Sequence, residues 1–137
     1  MRRRLILPLL AAAVLATPVH AAEEKKNDEN GLYVDLAQTG LPVIQNGRLV
    51  NYVFVHVRLN LTPGSNPVQL RTREPFFRDA LVRAAHRTPF VVAGEPNKLD
   101  EAALKRVMMV EAAKIAGPRA IASVLVVDQA PKRFIPK

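Results

Sequence analysis

From position 50 to 61 apolar and polar residues alternate. Val53, Val55, Val57, Leu59 and Leu61 fall on one face, and Tyr52, Phe54, His56, Arg58 and Asn60 on the other. A period of two held this long predicts a half-buried β-strand with its odd-numbered residues toward the core. Residues 32–36 alternate over a shorter span, and residues 41–44 are apolar but include Pro42, which marks an edge strand or an extended segment. Asn46-Gly47 then signals a tight hairpin turn into the long strand. Residues 62–67, with two prolines and a glycine, end that strand, and residues 68–71 read as a resumed strand completing a hairpin.

Beyond this point the period lengthens. Phe77, Leu81, Ala84 and Ala85 recur at spacings of three and four, with Pro75 in the first turn, so residues 74–87 predict an amphipathic helix. A second helix is expected from Asp100, as N-cap after Pro96-Asn97-Lys98-Leu99. It carries Leu104, Val107, Met108, Glu111 and Ile115 and stops at Gly117-Pro118. Residues 89–93 read as a short extended piece. Residues 120–128 are apolar at both parities, the pattern of a central strand covered on both faces. Together these elements predict one small α/β (α+β) domain, an antiparallel or mixed sheet with two packed helices.

The ends read differently. Arg2, Arg3 and Arg4 precede an apolar run over residues 5–16, and Val19-His20-Ala21 forms a small-residue processing site. This is the pattern of a secretory signal peptide cleaved between Ala21 and Ala22, placing the mature protein outside the cytoplasm. Spanning a bilayer takes about 20 apolar residues; this run is shorter and contains Pro8, so cleavage is preferred to a retained inner-membrane anchor. Residues 22–31 mix both charges with almost no apolar side chain and read as a disordered spacer. The domain is expected over residues 32–130, followed by a basic tail, residues 131–137, that includes Lys132 and Arg133.

The formal net charge of +8 includes the three leader arginines, so the mature chain is only moderately basic. Arg71, Arg73, Arg78, Arg83 and Arg87 are spread through one region without interleaved Tyr or Trp, which reads as a solvated helix face rather than a nucleic-acid surface. The chain has no cysteine, which excludes disulfides and thiolate chemistry. Neither His56 nor His86 has a ligand partner three or four residues away. Ser65 and Ser123 lie outside any nucleophile elbow, with Ser123 assigned to packing. Glu74, Asp79, Asp100, Glu101 and Glu111 fall at helix starts and faces, where ion pairs and the helix dipole account for them. The sequon Asn60-Leu61-Thr62 is followed by Pro63 and is read as chance. No catalytic residue, cofactor or metal ligand is predicted. Two alternatives stay open: a small-ligand or enzyme pocket around Tyr52, His56 and Arg58, and a membrane or polyanion surface on the arginine-bearing helix and Lys132-Arg133.

Four segments in this order, NYVFVHVRLNLTPG, TREPFFRDALVRAAHRTPF, LDEAALKRVMMVEAAKIAG and ASVLVVDQ, resemble the periplasmic domain of the flagellar basal-body-associated FliL family. The motif that carries most of the resemblance is the helix start with Arg73, Pro75, Arg78, Asp79 and Leu81. The resemblance implies a stomatin-like fold and a non-enzymatic protein. It further implies that the protein binds flagellar basal-body or stator proteins near the inner membrane, supports motility and self-associates. Family members carry a membrane anchor, whereas this chain carries what reads as a cleavable leader.

Overall fold

A computed structural model describes residues 31–132; the stretch read as a leader, with Ala21 and Ala22, the stretch read as a spacer up to position 30, and Arg133 onward lie outside the described residues. Among the described residues, six strands and three helices follow one another. They are β1 (Tyr33–Asp35), β2 (Thr39–Gln45), β3 (Arg48–Leu61), α1 (Pro67–Thr72), α2 (Glu74–Arg87), β4 (Val91–Val92), β5 (Glu95–Leu99), α3 (Glu101–Ala116) and β6 (Ile121–Pro131). The fold is α+β, and every strand pair among the described residues is antiparallel.

The long alternating strand is the spine of the sheet. β1 pairs with β3 from Arg58 to Asn60 and β2 pairs with it from Arg48 to Val55, while β6 pairs from Val53 to Leu61. Because β6 overlaps both, β1 and β2 lie end to end along one edge of β3 and β6 lies along the other. The turn into β3 is Asn46-Gly47, with φ of 51° and 74°, the two left-handed residues that a two-residue hairpin needs. As the alternation predicts, Val53, Val55, Val57, Leu59 and Leu61 are buried.

Both long helices pack on that odd-numbered face, α2 over β2 and α3 over β6, and against each other. Phe77, Leu81, Ala84 and Ala85 of α2 meet Leu104, Met108 and Ala112 of α3 in one core with the sheet. Each large apolar side chain buried here contributes about 1.5–3 kcal/mol. The ends of α3 are as expected: Asp100 Oδ1 accepts from Ala103 N at 3.1 Å, and Gly117 ends the helix with φ 100°.

Several expectations change. Residues 68–71 are helical, not a hairpin strand: Asn66 caps α1 by accepting from Gln69 N at 3.1 Å, and Pro67 occupies the first turn. Only Leu70 of α1 is buried, in line with the core face of α2 that follows. Residues 120–128 form an edge strand rather than a central one. Ile121 and Val124 are its buried members, and most of the remainder is exposed. The strand runs on to Pro131, so its last residues take up the start of the stretch read as a tail, and Lys132 N still donates to Tyr52 O at 2.8 Å. Pro96-Asn97-Lys98-Leu99, read as a lead-in to a helix, belongs to β5, which pairs with β4 inside the extended piece expected at 89–93.

The β4–β5 hairpin is held to the sheet by two amides. Buried Asn51 donates through Nδ2 to Pro96 O (3.3 Å) and Asn97 Oδ1 (3.1 Å). Gln129 accepts from Leu99 N at 3.0 Å and donates to Glu101 Oε1 at 2.7 Å, joining β6 to β5 and to the first turn of α3.

Candidate functional site

With the helices and the hairpin gathered on one face, the even-numbered face of the sheet is left half-buried to exposed. Strand register assembles it: Tyr33 opposite Asn60, Asp35 and Leu125 opposite Arg58, Asp128 opposite His56, and Gly40 and Ala130 opposite Phe54. Its centre is a clamp. Arg58 donates to both carboxylate oxygens of Asp35, Nε to Oδ1 at 2.7 Å and Nη2 to Oδ2 at 3.0 Å. The guanidinium also lies 4.2 Å from the centroid of the Tyr33 ring. A planar fork satisfied at its edge and stacked on its face holds one orientation.

Beside the clamp lies an open depression of about 550 Å³ lined by Asp35, Leu36, Ala37, Gln38, His56, Glu74 and Asp128. His56 Nε2 is 3.6 Å from Asp35 Oδ1. Glu74, in the first turn of α2, accepts from Ala37 N at 2.9 Å and pairs with Arg78 at 3.4 Å, so it fixes the β1–β2 connection that forms the floor. The rim therefore carries three carboxylates and one imidazole around an apolar and amide floor. Phe54 stands exposed on the same face with its ring across Gly40, where an added Cβ would come within 3.1 Å of the ring.

Small-molecule sites enclose most of their ligand; a depression this open suits a side chain presented by a larger partner, while two of its carboxylates, Asp35 and Glu74, are already paired with Arg58 and Arg78. No group of three or more His, Asp or Glu among the described residues is arranged to hold a metal ion. Of the alternative pocket residues, His56 lines the depression and Arg58 braces it through Asp35, while Tyr52 is not part of the lining.

The helix-start motif is dispersed into structural duties. Arg73 Nη1 donates to Ile115 O at 2.9 Å, tying the start of α2 to the end of α3. Pro75 lies in the first turn, Arg78 pairs with Glu74, Asp79 pairs with Arg83 at 3.0 Å, and Leu81 is buried. Of the arginines read as a solvated face, Arg71, Arg83 and Arg87 are exposed as expected and make surface contacts there: Arg71 donates to Tyr33 O and Gly31 O, and Arg87 pairs with Glu111, which also pairs with Lys114. His86 is bonded through Nδ1 to Val82 O at 2.8 Å. Ser123, assigned to packing, is exposed and accepts from Asn60 Nδ2 at 3.0 Å. Ser65 bonds Thr62 and Ala120 O at the end of β3.

Nothing in the sequence marks Asp35 or Gln38 as site residues, and Asp128 enters there only as part of the strand segment ASVLVVDQ. The alternation of β1 places Tyr33 and Asp35 on one face, but only the register against β3 brings them to Arg58 and His56. Comparison with known proteins returns no match: no family model, curated protein or solved structure matches the chain.

Proposed function

We propose that this chain is a non-enzymatic, periplasmic protein of FliL type that works by binding other proteins, with flagellar basal-body or stator components as partners and motility as the process served. The order of elements and the leader read from the sequence support the family and the compartment. The observation that carries a binding role is the uncovered sheet face, where exposed Phe54 flanks an open depression rimmed by Asp35, His56, Glu74 and Asp128. Aromatic anchors beside polar groups on an open surface are the composition of protein interfaces.

The test is genetic. Deleting the gene is expected to shrink the swarming radius, and an unchanged radius removes the flagellar half of the reading. Complementation with a Phe54→Ala, Asp128→Lys double variant is expected to fail although the protein accumulates and melts as wild type does. Full complementation shows that this face is not the binding surface. N-terminal sequencing of the protein from the periplasmic fraction is expected to begin at Ala22.

A further inference from the structure

Two hairpin ends meet at one end of the molecule. The β2–β3 turn, Asn46-Gly47, and the β4–β5 turn, Ala93-Gly94, flank a groove of about 400 Å³ between residues 44–46 and residues 91–94. What these ends present to solvent is aliphatic. Leu49 is 52% exposed, Val91 40% and Val50 39%, with Ile44 and Val92 half-buried beside them. Leu49 lies opposite Ile44 across one hairpin, and Val92 lies next to the turn of the other. Apolar side chains gathered outside a core in this way mark a surface that meets something less polar than water.

The charges around them are mostly of one sign. Arg48 and Lys98 are exposed and form no ion pair among the described residues, and Lys132 is held alongside β3 by its N–H bond to Tyr52 O. Across both hairpins, residues 39–61 and 91–99, Glu95 is the single carboxylate side chain. The arginine-bearing helix differs: Arg73, Arg78, Arg83 and Arg87 of that segment are each engaged by a carbonyl or carboxylate of the chain itself. That helix therefore offers less to an outside anion than the hairpin ends do.

We infer that the paired hairpin ends dock on an anionic lipid surface. Leu49, Val50 and Val91 enter the boundary between headgroups and acyl chains, while Arg48, Lys98 and Lys132 meet the lipid phosphates, their long stems lying along the apolar layer. Composition favours lipid over protein. Residues 44–50 and 91–98 contain no aromatic side chain, and so lack the anchors that concentrate binding energy in protein interfaces. Burial in lipid asks for no matching shape, only aliphatic area with positive charge beside it. Docked this way, the chain's entry into the domain points away from the bilayer. Tyr33 pairs with Asn60, about 40 Å from Arg48 at about 3.3 Å per residue along β3. The inference is independent of the flagellar reading and uses none of the residues that line the carboxylate-rimmed depression.

The chain has no tryptophan, so a single introduced one reports on its own surroundings. In the full chain, the emission of Leu49→Trp is expected to move to the blue when vesicles of equal parts phosphatidylglycerol and phosphatidylcholine are added. Phe76→Trp, at an exposed site on α2, should not respond. The unsubstituted chain should sediment with these vesicles, less with phosphatidylcholine alone, and less again as salt shortens the reach of the charges. Replacing Arg48 and Lys98 by serine should weaken the partition about 5-fold for each charge removed. Leu49→Asp combined with Val91→Asp should abolish it with the melting temperature kept; if that variant melts early, the two tryptophan sites decide alone. The N-terminal segment is the same in every variant, so it cannot produce these differences. A chain that stays off both kinds of vesicle overturns the inference. So does binding that ignores lipid charge, that survives the double aspartate substitution, or that moves Phe76→Trp as far as Leu49→Trp. If vesicles are ignored while the double aspartate variant fails to complement a deletion, the hairpin ends meet a protein and the lipid inference falls.

Discussion

Replacing Arg73 by alanine removes a charged donor from Ile115 O, one of the carbonyls that the last turn of α3 leaves without a helical partner. The expected loss is about 1–2 kcal/mol, read as a lower urea midpoint with an unchanged slope. Arg78→Ala, whose Glu74 partner keeps its bond to Ala37 N, should lose less than about 1 kcal/mol. The contrast separates two arginines that are equivalent in the sequence motif. At this scale the sequence named residue types but not their partners. Arg73 and Ile115, or Asp35 and Arg58, are far apart in the chain, and nothing in local spacing forecasts that they touch. Asp100, whose partner is three residues away, was legible as a cap for the same reason inverted.

Helix ends offer a test of how much each element contributes. Asp100→Ala removes the cap of a helix that buries Leu104, Met108 and Ala112, and Asn66→Ala removes the cap of α1, which buries only Leu70. Each cap is worth about 0.5–2 kcal/mol. The first loss should appear in the global unfolding midpoint; the second should appear mainly as faster hydrogen exchange in α1, because so little of α1 is tied to the core. Element type was legible wherever the apolar period ran long, as in β3, α2 and α3. It failed at residues 68–71, where four residues cannot separate a period of two from one of 3.6, and the informative pair was Asn66-Pro67 just before them. It failed differently at β6. An apolar run at both parities fits a strand covered on both faces, and here it belongs to an edge strand with two bulges, where Leu125 and Val127 face solvent.

The molecule as a whole is two layers, and Gln129 is where three parts of it meet. Gln129→Leu leaves the Leu99 N–H without its partner and frees Glu101 from β6. A cost of about 1–3 kcal/mol is expected, with the amides of the β4–β5 hairpin exchanging faster than those of β1–β3 in the same sample. The two-layer plan was legible, since one long alternating strand and two amphipathic helices have few ways to bury their apolar faces. The open face as a site was not, because it depends on β1, β2 and β6 all registering on β3. That shared dependence has a consequence in time. β6 is the last described element, so during synthesis β3 waits with its edge from Val53 to Leu61 unpaired until the final strand arrives, and pairing so distant in sequence is intrinsically slow. Any chain cut short before Ile121 keeps that valine-rich edge open for good, and truncated products of this protein should aggregate rather than persist as smaller folded pieces.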